Sequence, residues 1–466
     1  MTTQRLAEPR RVLVDCGDYE LGNLGDVAML QVTVQRLREH FPTASIDVIT
    51  KDPAALARHC PGARAVSYTG RQLWFGRGML LGRADRVLQR TSLFREAGVE
   101  GAMRRHCEPV LERLVRVRLG RGSADLEAFT TFMTALRSAD AVVVCGAGGV
   151  TDHARKWALP VLALLEHAHR HGVPTAMFGH GLGPLTDGDL TRVAARVLPT
   201  LDLFALREGR AGPSIARALG VDPSRLMVTG DDAIDLAHAE RPESLGECVG
   251  VNLRVARSAD VDERYIDMIG RVVSGFAAAH DAPLAALPIG RGKASDDVRT
   301  IERMLAAADG ATIIERPLDT TQGLIEQAGR CRIVVTGAYH AAVFALAQGV
   351  STVCLARSNY FREKLLGLAA QFGVGCIVLD LSADDVAGQI ERAMEQAWES
   401  APTVRQSLLD AASRQLAASR SAYRRFSDLL AERAMRGGAR GVRVSAPHDL
   451  APIIGAVAGT APGGRK

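Results

Sequence analysis

Twice along this 466-residue chain, apolar runs of strand length alternate with longer stretches patterned for helix. RVLVDC (11–16) is followed by residues 27–40, where Ala28, Leu30, Val34 and Leu37 recur at helical spacing. SIDVIT (45–50), ARAVSY (63–68), ADAVVVC (139–145), TAMFG (175–179), LDLFAL (201–206) and RLMVTG (225–230) continue the series. A polar stretch rich in breakers, AERPESLG (239–246), interrupts it. ECVGVNL (247–253), PLAALPI (283–289), ATIIE (311–315), RIVVTG (332–337), TVCLA (352–356) and CIVLDL (376–381) form a second series. Strands that alternate with helices pair in parallel and carry helices on both faces.

The chain is therefore read as α/β, with two doubly wound, Rossmann-like domains, 1–240 and 241–400, and a ligand cleft between them. Residues 71–135, rich in Arg and Leu, break the alternation and are read as a helical insertion: a lid, an interface or a membrane foot. The segment 401–436 reads as one long amphipathic helix from residue 403, and the Gly-, Pro- and Ala-rich 437–466 as a disordered tail.

Composition narrows the function classes. The net charge is +5, and Arg supplies nearly all the basic groups, spread along the chain. Nucleic-acid binding needs basic residues clustered on one face, so no nucleic-acid partner is expected, whereas an anionic small substrate suits the balance. The eight Cys show no C-x-x-C pair, which excludes the usual zinc spacings and suits buried thiols in a reducing compartment. MTTQRLAEPRR carries no apolar segment of the signal-peptide kind, and no apolar run reaches membrane-spanning length. A cytoplasmic protein is expected. The Arg-rich helices allow peripheral contact with anionic lipid, although a solvated surface explains them as well.

Ligands of parallel sheets bind beyond the carboxyl ends of the strands, so the residues there carry the chemistry. Asp15-Cys16-Gly17-Asp18-Tyr19-Glu20-Leu21-Gly22-Asn23-Leu24-Gly25-Asp26 follows the first strand. Asn23 and Gly25 open the helix N-terminus to an anion or hydroxyl, and Asp26 stands at the N-cap position. A plain capped turn would explain Gly and Asp alone; this density of Gly, Asn and Asp favours a ligand loop. Gly146-Ala147-Gly148-Gly149 lets backbone approach a ligand at Gly148 and Gly149, and tight strand–helix packing explains it equally. His180, between two glycines at a strand end, is read as an exposed candidate, with a structural role explaining it equally. Arg207 ends the next strand and suits a phosphate or carboxylate, against a surface ion pair with Glu208. In the second half Asn252 and Arg254, then Arg291 and Lys293, then Arg357 and Lys364 lie at or after strand ends. This cationic edge suggests an anionic donor there and a hydroxyl-rich acceptor on the carboxylate-bearing first half. Random placement of abundant Arg competes. Thr336-Gly337-Ala338-Tyr339-His340 is the sharpest site: Tyr339 and His340 open a helix, where an imidazole can act as acid or bind an anion. His167 and His171 stand four apart on a helix but have no third ligand near them in sequence, so they read as cations suited to a helix C-terminus, and no metal is expected.

Several of these pieces, in this order, resemble the polysaccharide pyruvyl transferase family: Gly22-Asn23-Leu24-Gly25-Asp26, Gly146-Ala147-Gly148-Gly149, Gly181-Leu182-Gly183-Pro184, Leu206-Arg207-Glu208, Gly230-Asp231-Asp232, Tyr339-His340-Ala341-Ala342, and Lys364. The resemblance covers roughly 12–372. It implies a glycosyltransferase-B-like (GT-B) fold and transfer of a ketal or enolpyruvyl group from phosphoenolpyruvate to sugar hydroxyls, releasing phosphate, with no cofactor or metal. It implies Arg207 and His340 at the phosphoenolpyruvate site. One departure is Ala338, where many members carry Arg; Arg254, Arg291 or Arg357 is expected to substitute. His340 is then the acid that protonates the enol methylene, and Asp26 the base for the attacking hydroxyl. The alternative is a nucleotide-sugar-dependent glycosyltransferase of the same two-domain fold, for which no acidic residue stands clearly placed to hold a ribose.

Overall fold

The computed structural model describes residues 9–76, 80, 98–253, 263–292, 295–306, 313–314 and 318–438. The first sheet contains β1 (Arg11–Asp15), β2 (Ser45–Thr50), β3 (Arg64–Ser67), β4 (Ala141–Val144), β5 (Thr175–His180), β6 (Leu203–Leu206) and β7 (Leu226–Val228). Their order is β3-β2-β1-β4-β5-β6-β7, and every pairing is parallel. The second series supplies β8 (Cys248–Asn252), β9 (Leu284–Ala286), a small antiparallel pair β10 (Arg291–Gly292) and β11 (Ser295–Asp296), then β12 (Ile313–Ile314), β13 (Cys331–Thr336), β14 (Ser351–Ala356) and β15 (Cys376–Asp380). Its six-stranded parallel sheet runs β12-β9-β8-β13-β14-β15.

In each sheet the chain winds outward from its first strand, then crosses back to wind the other way. The reversal lies between β1 and β4 in the first sheet and between β8 and β13 in the second. Loops diverge at such points and leave a crevice. The two crevices face each other. Leu24 N–H donates to the Ile289 carbonyl at 2.9 Å, and Arg291 N–H to the Gly22 carbonyl at 2.9 Å.

Helix α1 (Leu24–His40) shows how the core is built. Val27, Ala28, Met29, Leu30, Val32 and Val34 are all buried, so this helix is covered on most sides rather than along one stripe. Its apolar residues join a cluster that holds both faces of the first sheet, the helix Tyr339–Ala347 and part of the C-terminal helix. The two sheets therefore share one apolar interior. A second cluster, including Val249, Val251, Ile269 and Met394, covers the other face of the second sheet. Each such Val or Leu contributes about 1.5–3 kcal/mol of burial.

The last helix runs from Val386 to Gly438 and contains Pro402. It thus begins well before residue 403, where the sequence pattern placed it, and it extends through 437–438 of the expected tail. The rest of that tail, from 439, lies outside the described residues. The insertion contributes the helices Gly98–His106, Glu108–Leu119 and Ala124–Arg137; residues 77–79 and 81–97 lie outside the described set. Among the described residues no helix is long and apolar enough to cross a membrane.

Candidate active site

The centre of the site is a buried carboxylate. Asp231 follows β7, and its Oδ2 lies 3.6 Å from Arg207 Nη1 and 3.7 Å from His340 Nε2. Arg207 comes from the end of β6, and His340 from the first turn of the helix that follows β13. Residues from both halves of the chain therefore meet at one oxygen. Arg207 is 3% exposed and His340 4%. Arg207 Nη1 and Asp231 Oδ2 are buried without a hydrogen bond. The two atoms face each other across that 3.6 Å, as an ion pair rather than a hydrogen bond.

Electrostatics follow from this burial. Desolvation raises the Asp231 pKa above the usual carboxylate range, opposed by Arg207, the Ala233 N–H and Lys364. Burial disfavours the charge on Arg207, but Tyr339, Asp231, Tyr360 and Asp26 outweigh it and keep the guanidinium's pKa above its ordinary value. The Tyr339 ring is a platform for two cations: the Arg207 guanidinium stands 4.2 Å from its centroid and Lys364 Nζ 4.7 Å. Burial pushes the Tyr339 phenol up, so it remains protonated.

A cavity of about 240 Å³ opens beside this cluster, lined by Gly148, Gly181, Gly183, Arg207, Tyr360 and Lys364 among others. The Tyr360 hydroxyl donates to the Gly148 carbonyl at 3.0 Å, joining second half to first. A Cβ on Gly148 would stand 2.8 Å from Arg207 Nη2 and 3.0 Å from the Tyr360 oxygen. Gly148 is thus a close-approach glycine, as its sequence pattern suggested.

The other sequence candidates sort differently. Asn23, not Asp26, is the N-cap of α1: its Oδ1 accepts from Gly25 N–H at 3.1 Å and Asp26 N–H at 3.4 Å. Its side chain is thereby engaged within the helix end. Gly25 touches the other half of the chain, since a Cβ there would stand 2.0 Å from His340 Cγ. Asp26 is half-buried in the first turn, and its charge acts on Arg207. Gly149 gives way to packing, because a Cβ there would collide with the Trp157 ring at 2.1 Å.

His180 is fully buried rather than exposed. Desolvation, with Arg207 adding to it, lowers its pKa to about 3, so it is a neutral core imidazole against Trp157. Asn252 is also structural: its Nδ2 donates to the Leu287 carbonyl at 2.8 Å and to Asp297 at 2.9 Å, and Asp297 in turn accepts from Ile289 and Gly290 N–H groups. Arg291 donates to the Leu318 carbonyl. Arg357 sits 4.9 Å from the Tyr265 ring centroid. Arg254 and Lys293 lie outside the described residues. The cations that meet over Tyr339, next to Ala338, are Arg207 and Lys364. Glu208 does not pair with Arg207 but accepts three backbone N–H bonds, from Arg210, Ala211 and Gly212, at the next helix start.

Sequence reasoning missed Asp231 as a site residue, although the turn Gly230-Asp231-Asp232 after a strand was the signal. It also missed Tyr360, which had none. Asp232 points the other way, into the C-terminal helix: Ser419 donates to its Oδ1 at 2.7 Å and Tyr423 to its Oδ2 at 2.8 Å.

A family model described as polysaccharide pyruvyl transferase matches residues 23–359, most of the chain. The chain belongs to the polysaccharide pyruvyl transferase family. Membership makes it a transferase, of the kind that transfers pyruvyl groups in polysaccharide synthesis. No curated protein matches the sequence. Among solved structures, an assigned UDP-N-acetylglucosamine 2-epimerase of Listeria monocytogenes superposes with a TM-score of 0.55 at 12% identity, covering 93% of this chain and 98% of that one. The UDP-GlcNAc 2-epimerase of Neisseria meningitidis, bound to UDP-GlcNAc, gives 0.52 at 11%, covering 91% and 100%. At these identities the likeness concerns fold alone. It places this pyruvyl transferase family member in the two-domain GT-B architecture.

Proposed function

We propose that this family member transfers a pyruvyl group from phosphoenolpyruvate to hydroxyls of a sugar or polysaccharide precursor, with release of phosphate. The observation that supports it most is the meeting of Arg207 and His340 on one oxygen of Asp231, beside a cavity that Lys364 also lines. A small, multiply charged anion suits a pocket where two cations flank one aromatic platform.

The chemistry is assigned residue by residue. Arg207 and Lys364 hold the phosphate and carboxylate of the donor. His340, in its protonated form, gives a proton to the enol methylene, which becomes a methyl group and leaves a cationic carbon. A sugar hydroxyl adds to that carbon and surrenders its proton to Asp26. Phosphate leaves with the C–O bonding pair, steadied by Arg207. A second hydroxyl then adds to the carbon that phosphate left and yields its proton to the now neutral His340 imidazole, closing the ketal, or that imidazole takes back a methyl proton and the enol ether forms. The donor site takes residues from both halves, so the division into an acceptor half and a donor half becomes a shared crevice. Placement in the cytoplasm is part of the same proposal.

The deciding measurement is phosphate release with phosphoenolpyruvate across a panel of sugar acceptors, run beside UDP- and GDP-sugars. Acceptor-dependent phosphate release supports the assignment. Release of nucleoside diphosphate from the nucleotide sugars, with none of phosphate, establishes the glycosyltransferase alternative instead.

A further inference from the structure

The fold supplies what the sequence lacked beside the histidine pair. His167 and His171 end the helix Arg155–Arg170, and Glu108 opens the insertion helix Glu108–Leu119 against them. Glu108 Oε2 lies 3.1 Å from His171 Nε2 and 3.5 Å from His167 Nδ1. All three candidate ligand atoms fall within 4.8 Å of one another. Around a tetrahedral ion with bonds of about 2.0–2.1 Å, neighbouring donor atoms stand roughly 3.4 Å apart, so little movement is needed. We propose that Glu108, His167 and His171 form a zinc-type transition-metal site that fastens the helical insertion to the first sheet's own helix.

Three further observations support the assignment. His167 is 5% exposed, and its Nδ1 is buried without a hydrogen bond, aimed at Glu108. The two histidines stand at a helix C-terminus, whose partial negative charge favours a cation. His171 is half exposed, and a cavity of about 290 Å³ adjoins the three ligands, which gives an entry path and room for water as fourth ligand.

The nearby guanidiniums disfavour a dication, but they are engaged elsewhere. Arg137 pairs with Glu112, Arg170 donates to the Arg104 and Arg105 carbonyls, and Arg104 stacks on Trp74 and Phe75. With one carboxylate and two imidazoles, the donor set matches Zn²⁺ rather than Mg²⁺ or Ca²⁺, which take oxygen ligands. The helix leads into Thr175, the amino end of β5, so the site lies at the opposite sheet edge from Arg207 and His340. Its role is to fasten, not to react.

The test uses the untagged chain, stripped with a chelator and titrated with Zn²⁺ and Co²⁺. One ion per chain, tetrahedral Co²⁺ absorption bands and a higher melting temperature with Zn²⁺ are expected. E108Q and H171A should weaken binding roughly tenfold or more, while H169A, at an exposed neighbouring histidine, should leave it unchanged. No stoichiometric uptake, or an H169A loss equal to that of H171A, overturns the site. Loss of acceptor-dependent phosphate release on stripping overturns the fastening role. The titration needs no substrate, so its outcome is independent of the proposed reaction.

Discussion

At the scale of single residues, the unusual feature is one carboxylate oxygen facing both a guanidinium and an imidazole. Arg207 and His340 both lie within ion-pair distance of Asp231 Oδ2. Arg207→Lys keeps the charge but loses the planar fork, and turnover in the phosphate-release assay should fall about 10²–10³-fold. Arg207→Ala leaves Asp231 buried without its counter-charge, and should also cost about 3–5 kcal/mol in denaturant unfolding. His340→Gln should lower turnover about 10²–10⁴-fold if the imidazole is the acid; unchanged turnover removes it from the mechanism. Much of this was legible, because Arg207, His340 and Gly148 sit at or just after strand ends, where topology brings ligands, and Lys364 lies in the second turn of the helix Asn359–Phe372 that follows β14. The misassigned residues share a physical cause. His180 and Asn252 also sit at strand ends, but side chains alternate across a strand, and one sequence does not show which of them face the core. His180 is buried against Trp157, and Asn252 is bound to Leu287 and Asp297.

At the scale of elements, the start of α1 meets the start of the Tyr339–Ala347 helix at Gly25. Gly25→Ala would place a Cβ 2.0 Å from His340 Cγ and 2.4 Å from its Cβ, the root of that side chain, which a rotamer change cannot move away. The variant should lose both melting temperature and turnover, more than Gly188→Ala, where a Cβ meets nothing within 4 Å. The strands were readable because a buried parallel strand is a short apolar run with breakers on either side. The true start of the last helix was not. Pro402 suits a helix beginning as well as an interruption, and only packing of Ala397, Ala401 and Leu408 sustains the helix through it. The third ligand beside His167 was equally unreadable, since Glu108 lies far from it in sequence and arrives only through the insertion's path.

At the scale of the whole molecule, the C-terminal helix is tied to the first half by Asp232. Burial raises the Asp232 pKa to about 6 despite the hydroxyls of Ser419 and Tyr423. A carboxyl raised in the fold is best tolerated protonated, so its contribution is lost as pH climbs from about 4 through about 6. Against the ordinary 3.8 this amounts to about 3 kcal/mol. Asp232→Asn should therefore show a flatter stability profile across that window than the parent chain, measured by urea unfolding at each pH. Equal slopes would mean Asp232 titrates normally. Tyr423→Phe removes a donor to Asp232 and a partner of Thr33, and should cost about 1–3 kcal/mol.

The same 53-residue helix begins beside the second sheet and reaches the first, where Arg433 pairs with Asp202. A single rod thus bridges the two lobes. Any wide swing of one lobe about the other must bend or slide that rod through an oily seam, at an elastic cost that a molecule joined only by slack linkers escapes. Reactants are therefore expected to come and go by small breathing of the loops around the crevice, with the lobes themselves holding station.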